Sequence, residues 1–364
     1  METLYATIYH DILQDIISGN LKPGDRVHSE KELSEKYGVS RITAKKALDM
    51  LCAEGHISRS PGRGSFVCDR ASESGTGKAV AASKTIGLIM EDFSENFGVF
   101  IISGAERACG EAGYSLIIKR TFGSQKAEKD AINELREKGV SGLLILPVHG
   151  DNYNEAILKL VLDRFPTVLL DRQLKGIPIS FVGTDNYTAA KKLSDYLFEK
   201  GHAHICFVSP PADDTSSVTE RIAGFVKSNE ERGILTERYI MSSVRGTLPG
   251  KGIDESLLSD SEEICRYLCS HSEVTGILAV EYNIALTALH AIESMGKSVP
   301  EDYEIVCFDG PENYIQRYEL THARQDEEGI GKESVRILLE QFAGRREVQK
   351  VELPAAIKEK YAKP

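Results

Sequence analysis

Arg41, Lys45 and Lys46 recur along one short stretch, with Ser40 just before them and Thr43 among them, and Arg63 follows between Gly62 and Gly64. Guanidinium and ammonium groups spaced this way can donate to guanine O6 and N7 or to phosphate oxygens, and glycine amides can approach a phosphate closely. That chemistry needs a helix and a tight ribbon to aim it. Ser29-Glu30-Lys31-Glu32 has the Ser-x-x-Glu spacing in which a hydroxyl and a carboxylate each satisfy a backbone N–H at a helix start, so a short helix begins near Glu30. Gly38 supplies a left-handed turn, Val39 packs inward, Ser40 caps a second helix running from about Arg41 to Glu54, and Gly55 stops it. Ala44, Ala47, Leu48 and Leu51 fall at i, i+3, i+4 and i+7 and can bury, leaving Arg41, Lys45 and Asp49 on the opposite face with Thr43 and Lys46 beside them. His56-Ile57-Ser58-Arg59 and Ser65-Phe66-Val67 alternate as two short strands joined by Ser60-Pro61-Gly62-Arg63-Gly64. The pattern is a helix–turn–helix with a β-wing, suited to double-stranded DNA. Its contact candidates are Ser29, Glu30, Ser40, Arg41, Thr43, Lys45, Lys46, Gly62 and Arg63.

Residues 4–67 resemble the winged-helix domain of the GntR family of bacterial transcription regulators. The matching pieces are the opening amphipathic helix, Gly19 with Leu21-Lys22-Pro23-Gly24, Ser29-Glu30, Val39-Ser40-Arg41, Ala47, Leu51, Glu54-Gly55 and Gly62-x-Gly64-x-x-Val67. The resemblance implies that Arg41 and Lys45 belong to a recognition helix, that Thr43 lies between them, and that Gly62 is the wing tip. His28 stands where the family usually has Pro, and Lys45 where it usually has Arg, which replaces a two-pronged guanine contact by a single point charge.

Charge agrees with a localised DNA contact. The chain carries 44 Lys+Arg against 55 Asp+Glu, a net charge of −11, which argues against a protein that coats nucleic acid generally. Residues 1–70 hold 10 basic and 10 acidic residues, so the remainder, with 34 against 45, carries the whole negative excess. Arg26, Arg41, Lys45, Lys46, Arg59 and Arg63 can still make one neutral domain locally positive. A length of 364 residues implies two or three domains. Residues 1–68 form the DNA module; residues 69–84, small and polar without a helical period, read as a flexible linker; residues 85–364 remain for an effector-binding and dimerisation domain. No apolar run is long enough to span a bilayer and no leader precedes the first helix, so a cytoplasmic protein without membrane attachment is expected.

Other chemistries find little support. The 7 Cys include no Cys-x-x-Cys pair, and Cys265 and Cys269, one turn apart, read as small apolar side chains packed inward on a helix rather than as metal ligands. Gly329-Ile330-Gly331-Lys332 approaches a phosphate loop, but Glu333 replaces the Ser/Thr and Asp326 the leading Gly. No metal, cofactor or catalytic activity is therefore expected.

From Thr85 onward short apolar runs alternate with longer amphipathic ones. Strands are expected at 86–90, 115–118, 142–146, 167–170, 205–208, 276–280 and 304–308, and helices at 98–112, 125–138, 186–200, 217–232, 281–295 and 331–342. Such β-α alternation gives parallel sheets covered on both faces, and the length suits two doubly wound lobes. The fold class is α/β, a winged helix–turn–helix followed by a two-lobed effector domain of the periplasmic-binding-protein-like type I. Ligands of open parallel sheets bind beyond the carboxyl ends of the strands. Polar or aromatic residues follow the apolar runs there: Glu91-Asp92-Phe93, Asp171-Arg172, Asp185-Asn186, Glu281-Tyr282 and Asp309. Carboxylates accept from adjacent hydroxyls, Arg221 donates in a planar fork, and Phe93, Phe97 or Tyr282 can cover an apolar sugar face.

A second resemblance covers about residues 84–357 and points to the effector domain of LacI/GalR-type repressors. It is carried by Thr85-Ile86-Gly87-Leu88, Leu169-Leu170-Asp171-Arg172, Val182-Gly183-x-Asp185-Asn186, Gly201-His202, Arg221-x-Ala223-Gly224-Phe225, Val299-Pro300-Glu301-Asp302, Ile305-Val306-x-Phe308-Asp309 and Leu320-Thr321 followed by Gln325. In that family the positions matching Asp171, Arg221, Asp309 and Gln325 line the inter-lobe cleft, and those matching Glu91 and Phe97 lie at its N-terminal-lobe wall. Arg172 and Glu281 complete the expected effector set; at Glu281-Tyr282 the family usually has Asn-Asp. The domain order resembles the arabinose-repressor group. It implies a homodimeric repressor released from operator DNA by a small sugar, with a non-sugar effector or an activator as the alternative and a sugar-converting enzyme disfavoured for want of a nucleophile–base constellation.

Overall fold

The computed structural model describes residues 4–53, 55–60, 63–68, 84–94, 96–148, 154–211, 215–245, 253–311 and 319–360. The chain divides into two units, one of Met1–Ala82, Ile157–Phe165 and Lys175–Pro178, the other of Ser83–Ala156, Pro166–Leu174 and Ile179–Pro364. Gly62, Glu54 and all but the last residue of the expected linker lie outside the described residues.

In the first unit, α1 (Leu4–Ile17) buries Ile8, Ile12, Leu13 and Ile17, a stripe at helical spacing. A two-residue strand, β1 (Arg26–Val27), precedes α2 (Glu30–Tyr37). The capping box at Ser29 is present in full: Glu32 N–H donates to Ser29 Oγ at 3.3 Å and Ser29 N–H donates to Glu32 Oε2 at 2.6 Å. Gly38 ends the helix at φ 64°, a left-handed conformation that a side chain would resist. The second helix, α3 (Arg41–Ala53), buries Ala44, Ala47, Leu48 and Leu51. Then β2 (Ile57–Ser60) and β3 (Gly64–Val67) form the wing, with Arg59 opposite Ser65. The strand order β1-β3-β2 adds one strand that sequence pattern does not reveal, because two residues cannot show an alternation.

The second unit holds two sheets. Along the chain come β4 (Thr85–Met90), α4 (Val99–Glu111), β5 (Ser115–Arg120), α5 (Gln125–Glu137), β6 (Gly142–Ile145), α6 (Glu155–Leu162, which runs across the division between units), β7 (Thr167–Leu170) and β8 (Ser180–Thr184). Next are α7 (Asn186–Glu199), β9 (Ile205–Val208), α8 (Ser216–Glu230), β10 (Ile240–Met241), α9 (Ile253–Ser270), β11 (Gly276–Ala279), α10 (Tyr282–Ser294), β12 (Glu304–Phe308) and β13 (Thr321–Arg324). The chain ends with α11 (Glu327–Phe342), β14 (Lys350–Leu353) and β15 (Ala356–Lys358). The N-terminal lobe sheet has order β14-β8-β7-β6-β4-β5, and the C-terminal lobe sheet β10-β9-β11-β12-β13-β15. Every pairing is parallel except β13 with β15.

The lobes are not contiguous in sequence. The chain passes between them after β8, after β13 and between β14 and β15, so α11 and β14, near the C-terminus, complete the N-terminal lobe. Helix α11 starts at Glu327 rather than at the expected Gly331, because Asp326 caps it by accepting from Gly329 N–H at 2.9 Å. Its glycines serve packing, not phosphate: a Cβ on Gly331 would lie 2.2 Å from Ile101 O, and one on Gly104 of α4 2.2 Å from Glu328 O. Each lobe has its own core, built on Leu88, Leu144 and Leu170 in one and on Phe207, Ile277 and Phe308 in the other, where each buried aliphatic side chain contributes on the order of 2 kcal/mol.

Candidate functional site

Helix α3 presents the expected face. Arg41, Lys45 and Asp49 are exposed, and among the described residues neither Arg41 nor Lys45 is engaged in an ion pair. Several other candidates are tied to structural duties. Ser29 is the cap of α2, and Ser40 Oγ accepts from Thr43 N–H at 3.2 Å with the two hydroxyls 2.9 Å apart. Lys46 lies over the Tyr5 ring at 3.8 Å, and Glu30 lies 3.8 Å from Arg59, which also pairs with Asp49 at 2.6 Å. Arg26 pairs with Glu32 at 3.3 Å. The basic cluster counted from sequence is thus narrower in space: among the described residues Arg41, Lys45 and Arg63 make no ion pair, while Arg26 and Arg59 are neutralised locally. Gly62 is not among the described residues.

In the second unit the strand ends converge. Asp171, following β7, and Asp309, following β12, both adopt left-handed backbone, with φ 58° and 60°, so the chain turns sharply at the end of each strand. Arg221 of α8 is a buried cation that feels the charge of both. Its Nε donates to Asn186 Oδ1 at 2.7 Å and its Nη1 to Val280 O at 2.6 Å, and the guanidinium stacks on Phe308 at 3.8 Å. Burial pulls the Arg221 pKa down, opposed by the charges of Asp309, Asp171 and Glu281. Gln325, between β13 and α11, accepts from Thr184 Oγ1 at 2.6 Å and donates to Asp309 at 2.9 and 3.1 Å, so it joins two inter-lobe crossings to one carboxylate. Asp185 N–H, at the first crossing, donates to Leu353 O at 2.9 Å, beside the third.

On the N-terminal lobe side Arg172 donates to Glu91 at 2.6 Å and to Pro147 O at 2.9 Å. Asp171 Oδ1 and Arg172 Nε are buried with no hydrogen-bond partner among the described residues, although Arg172 Nε lies 3.7 Å from Asp171 Oδ2 as an ion pair. Lobe-to-lobe bonds flank this region: Gln173 N–H to Ser216 Oγ at 3.0 Å, Gln173 Nε2 to Glu220 at 2.8 Å, and Asn96 Nδ2 to Asn283 Oδ1 at 3.3 Å.

A cavity of about 410 Å³, within the range of small-ligand sites, is lined by Asp309 and Gln325 together with Asn96, Phe100, Glu327 and Lys358 among others. The other expected effector residues do not line it. Glu281 caps α10, accepting from Asn283 N–H at 3.4 Å; Phe97 packs on the N-terminal lobe core; and Tyr282, read as a cover for a sugar face, is part of the C-terminal lobe core. Burial pushes Asp309 up to about 6, against the pull of Arg221 and Gln325. Glu327 escaped the sequence reading, although it stands two residues after Gln325. It accepts from Gly98 N–H, at the start of α4, at 2.8 Å, and burial beside Asp309 pushes it up to about 7. Of the two thiols expected to pack inward, Cys265 packs half-buried on the C-terminal lobe core, its Sγ donating to Ala291 O at 3.2 Å, whereas Cys269, one turn on, is exposed. Among the described residues no group of three or more His, Cys, Asp or Glu could hold a metal ion, and no helix is long and apolar enough to cross a membrane.

Comparison with known proteins meets this architecture at both ends. Residues 4–67 match the family of bacterial regulatory proteins, gntR family, and residues 194–360 match the periplasmic binding protein-like domain. An arabinose metabolism transcriptional repressor of Halalkalibacterium halodurans is 30% identical over 315 residues, 85% of this chain and 81% of that protein. A protein of the same description from Geobacillus stearothermophilus is 27% identical over 355 residues, 95% of this chain and 93% of its own length. Among solved structures, a LacI family transcriptional regulator from Enterococcus faecium with bound ribose aligns with a TM-score of 0.63 at 23% identity, covering 76% of this chain and 97% of that one, a likeness of fold.

Proposed function

This chain belongs to the GntR-type transcriptional repressors that carry a LacI-like, periplasmic-binding-protein-like effector domain, and from that premise we propose that it is released from its operator by a neutral sugar held between the two lobes. The observation that carries the proposal is the convergence on one inter-lobe region of Asp171, Arg172, Arg221, Asp309 and Gln325, where a buried acceptor of Asp171 and a buried donor of Arg172, ion-paired with Asp171 at 3.7 Å, make no hydrogen bond among the described residues. Buried polar groups left unmatched are costly, and adjacent hydroxyls of a sugar match an adjacent acceptor and donor. Glu91, Asp171, Glu281 and Asp309 outnumber Arg172 and Arg221, which favours an uncharged polyol over a phosphosugar or sugar acid. Two of the relatives are named for arabinose metabolism, which supports the same class.

In this reading residues 1–68 bind DNA, 69–84 tether them, and 85–364 bind the effector and join two copies into a cytoplasmic homodimer whose paired α3 helices meet a palindromic operator. Ligand binding closes the lobes and weakens the operator complex by about 1–3 kcal/mol, and operator DNA weakens sugar binding equally. A pentose and hexose panel tested by thermal unfolding of the full chain checks the ligand class. A fitting sugar at 100 times its Kd should add about 2.7 kcal/mol of stability. A rise in Tm with a purine, an amino acid or a phosphosugar, and with no neutral sugar, would overturn it.

A further inference from the structure

The outward face of α3 carries one side chain that neither folding nor phosphate attraction explains. Ile42 is 80% exposed, more than any other large apolar side chain in a described helix. At 100° per residue, Ala44, Ala47, Leu48 and Leu51 gather on one side and Ile42 stands opposite them, one turn before Lys45 and Lys46. Isoleucine there gains nothing from burial and is a poorer helix former than alanine, lysine or glutamate. An apolar group at the centre of a cationic, groove-facing surface has one natural counterpart in duplex DNA, the C5 methyl of thymine, the apolar group that the bases present in the major groove.

We propose that Ile42 reads a thymine in each operator half-site, its branched side chain packed on the C5 methyl while Arg41 and Lys45 hold the helix in register. The proposal rests on the DNA-binding reading above and adds to it a base preference that the cations cannot supply. The full-length protein is used to select duplexes from a random pool, and in a selected duplex each thymine is replaced in turn by deoxyuridine, which removes the methyl group alone. Wild-type protein should lose affinity about fourfold at one thymine of each half-site, the worth of one methyl group withdrawn from water. Ile42→Ala should bind the thymine and uracil duplexes equally, and Ile42→Val should keep most of the discrimination. Arg41→Ala should weaken both duplexes alike. Because Ile42 is exposed, the Ile42 variants should unfold thermally like wild type, so a change in discrimination reports on DNA and not on folding. Equal sensitivity to uracil in wild type and Ile42→Ala, or no sensitive thymine in wild type, would overturn the assignment. Failure of the wild-type protein to select any duplex would overturn the DNA-binding reading itself.

Discussion

Arg41 and Arg221 carry the same guanidinium in opposite circumstances. Arg41 stands exposed on α3 with no ion pair among the described residues, whereas Arg221 is buried, hydrogen-bonded to Asn186 and Val280, stacked on Phe308 and under the charge of Asp171, Glu281 and Asp309. An exposed cation is available to a polyanion and costs the fold little. A buried one must be compensated within the protein, and what is left for a ligand is geometry rather than charge. This contrast supports the proposal that the first region meets DNA and the second an uncharged ligand.

Substitutions at the two arginines should separate these roles most strongly. Arg221→Ala removes the cation that offsets Asp309 and, with Arg172 at 3.7 Å, Asp171; it should cost about 3–5 kcal/mol in urea unfolding of the full chain, together with any stabilisation by sugar. A cost below about 0.5 kcal/mol would place Arg221 with ordinary surface residues and break the comparison. Arg41→Ala should leave unfolding and sugar response unchanged and weaken operator binding by about 1–3 kcal/mol per half-site, read by fluorescence anisotropy. Loss of both properties would indicate misfolding.

A finer contrast lies in pH. Glu327 is pushed up to about 7 by burial and by Asp309, so its ionisation opposes folding: its stabilising protonated form is fully present below the ordinary glutamate range, and stability falls as pH rises toward and through 7. Asp309, raised to about 6, acts in the same direction. Glu327→Gln can still accept from Gly98 N–H but cannot ionise, so it should raise Tm at pH 8 and change it little at pH 4.5. A pH-independent difference would contradict this account of the buried region. The smallest expected effect separates two neighbours on the exposed face. Lys45→Ala should reduce the slope of log affinity against log salt by about 0.9, whereas Lys46→Ala, whose ammonium lies over Tyr5, should reduce it less.

The two regions also differed in how far the sequence revealed them. The α3 face depends on local rules, a cap at Ser40 and apolar residues at i, i+3, i+4 and i+7, and these appear in the structure where the spacing puts them. Strands β7, β9 and β12 likewise begin and end at the residues expected from their apolar runs. What local pattern could not show was long-range: the pairing of β1 with β3, the return of α11 to the N-terminal lobe, and the neutralisation of Arg59 by Asp49. The expected effector residues were legible as strand ends from the apolar runs and the family resemblance, but which of them shared a cavity depended on the three crossings. Those crossings bring Glu327 in beside Asp309 and leave Tyr282 in the core.

In the proposed function, occupancy of the buried region governs the exposed one. Its most direct test is operator affinity of the full-length protein, measured with and without a sugar shown to stabilise it. Release by the sugar predicts about 5-fold to 150-fold weaker DNA binding in its presence, with sugar affinity reduced by the same factor on DNA. Identical operator affinities in the two conditions would contradict it.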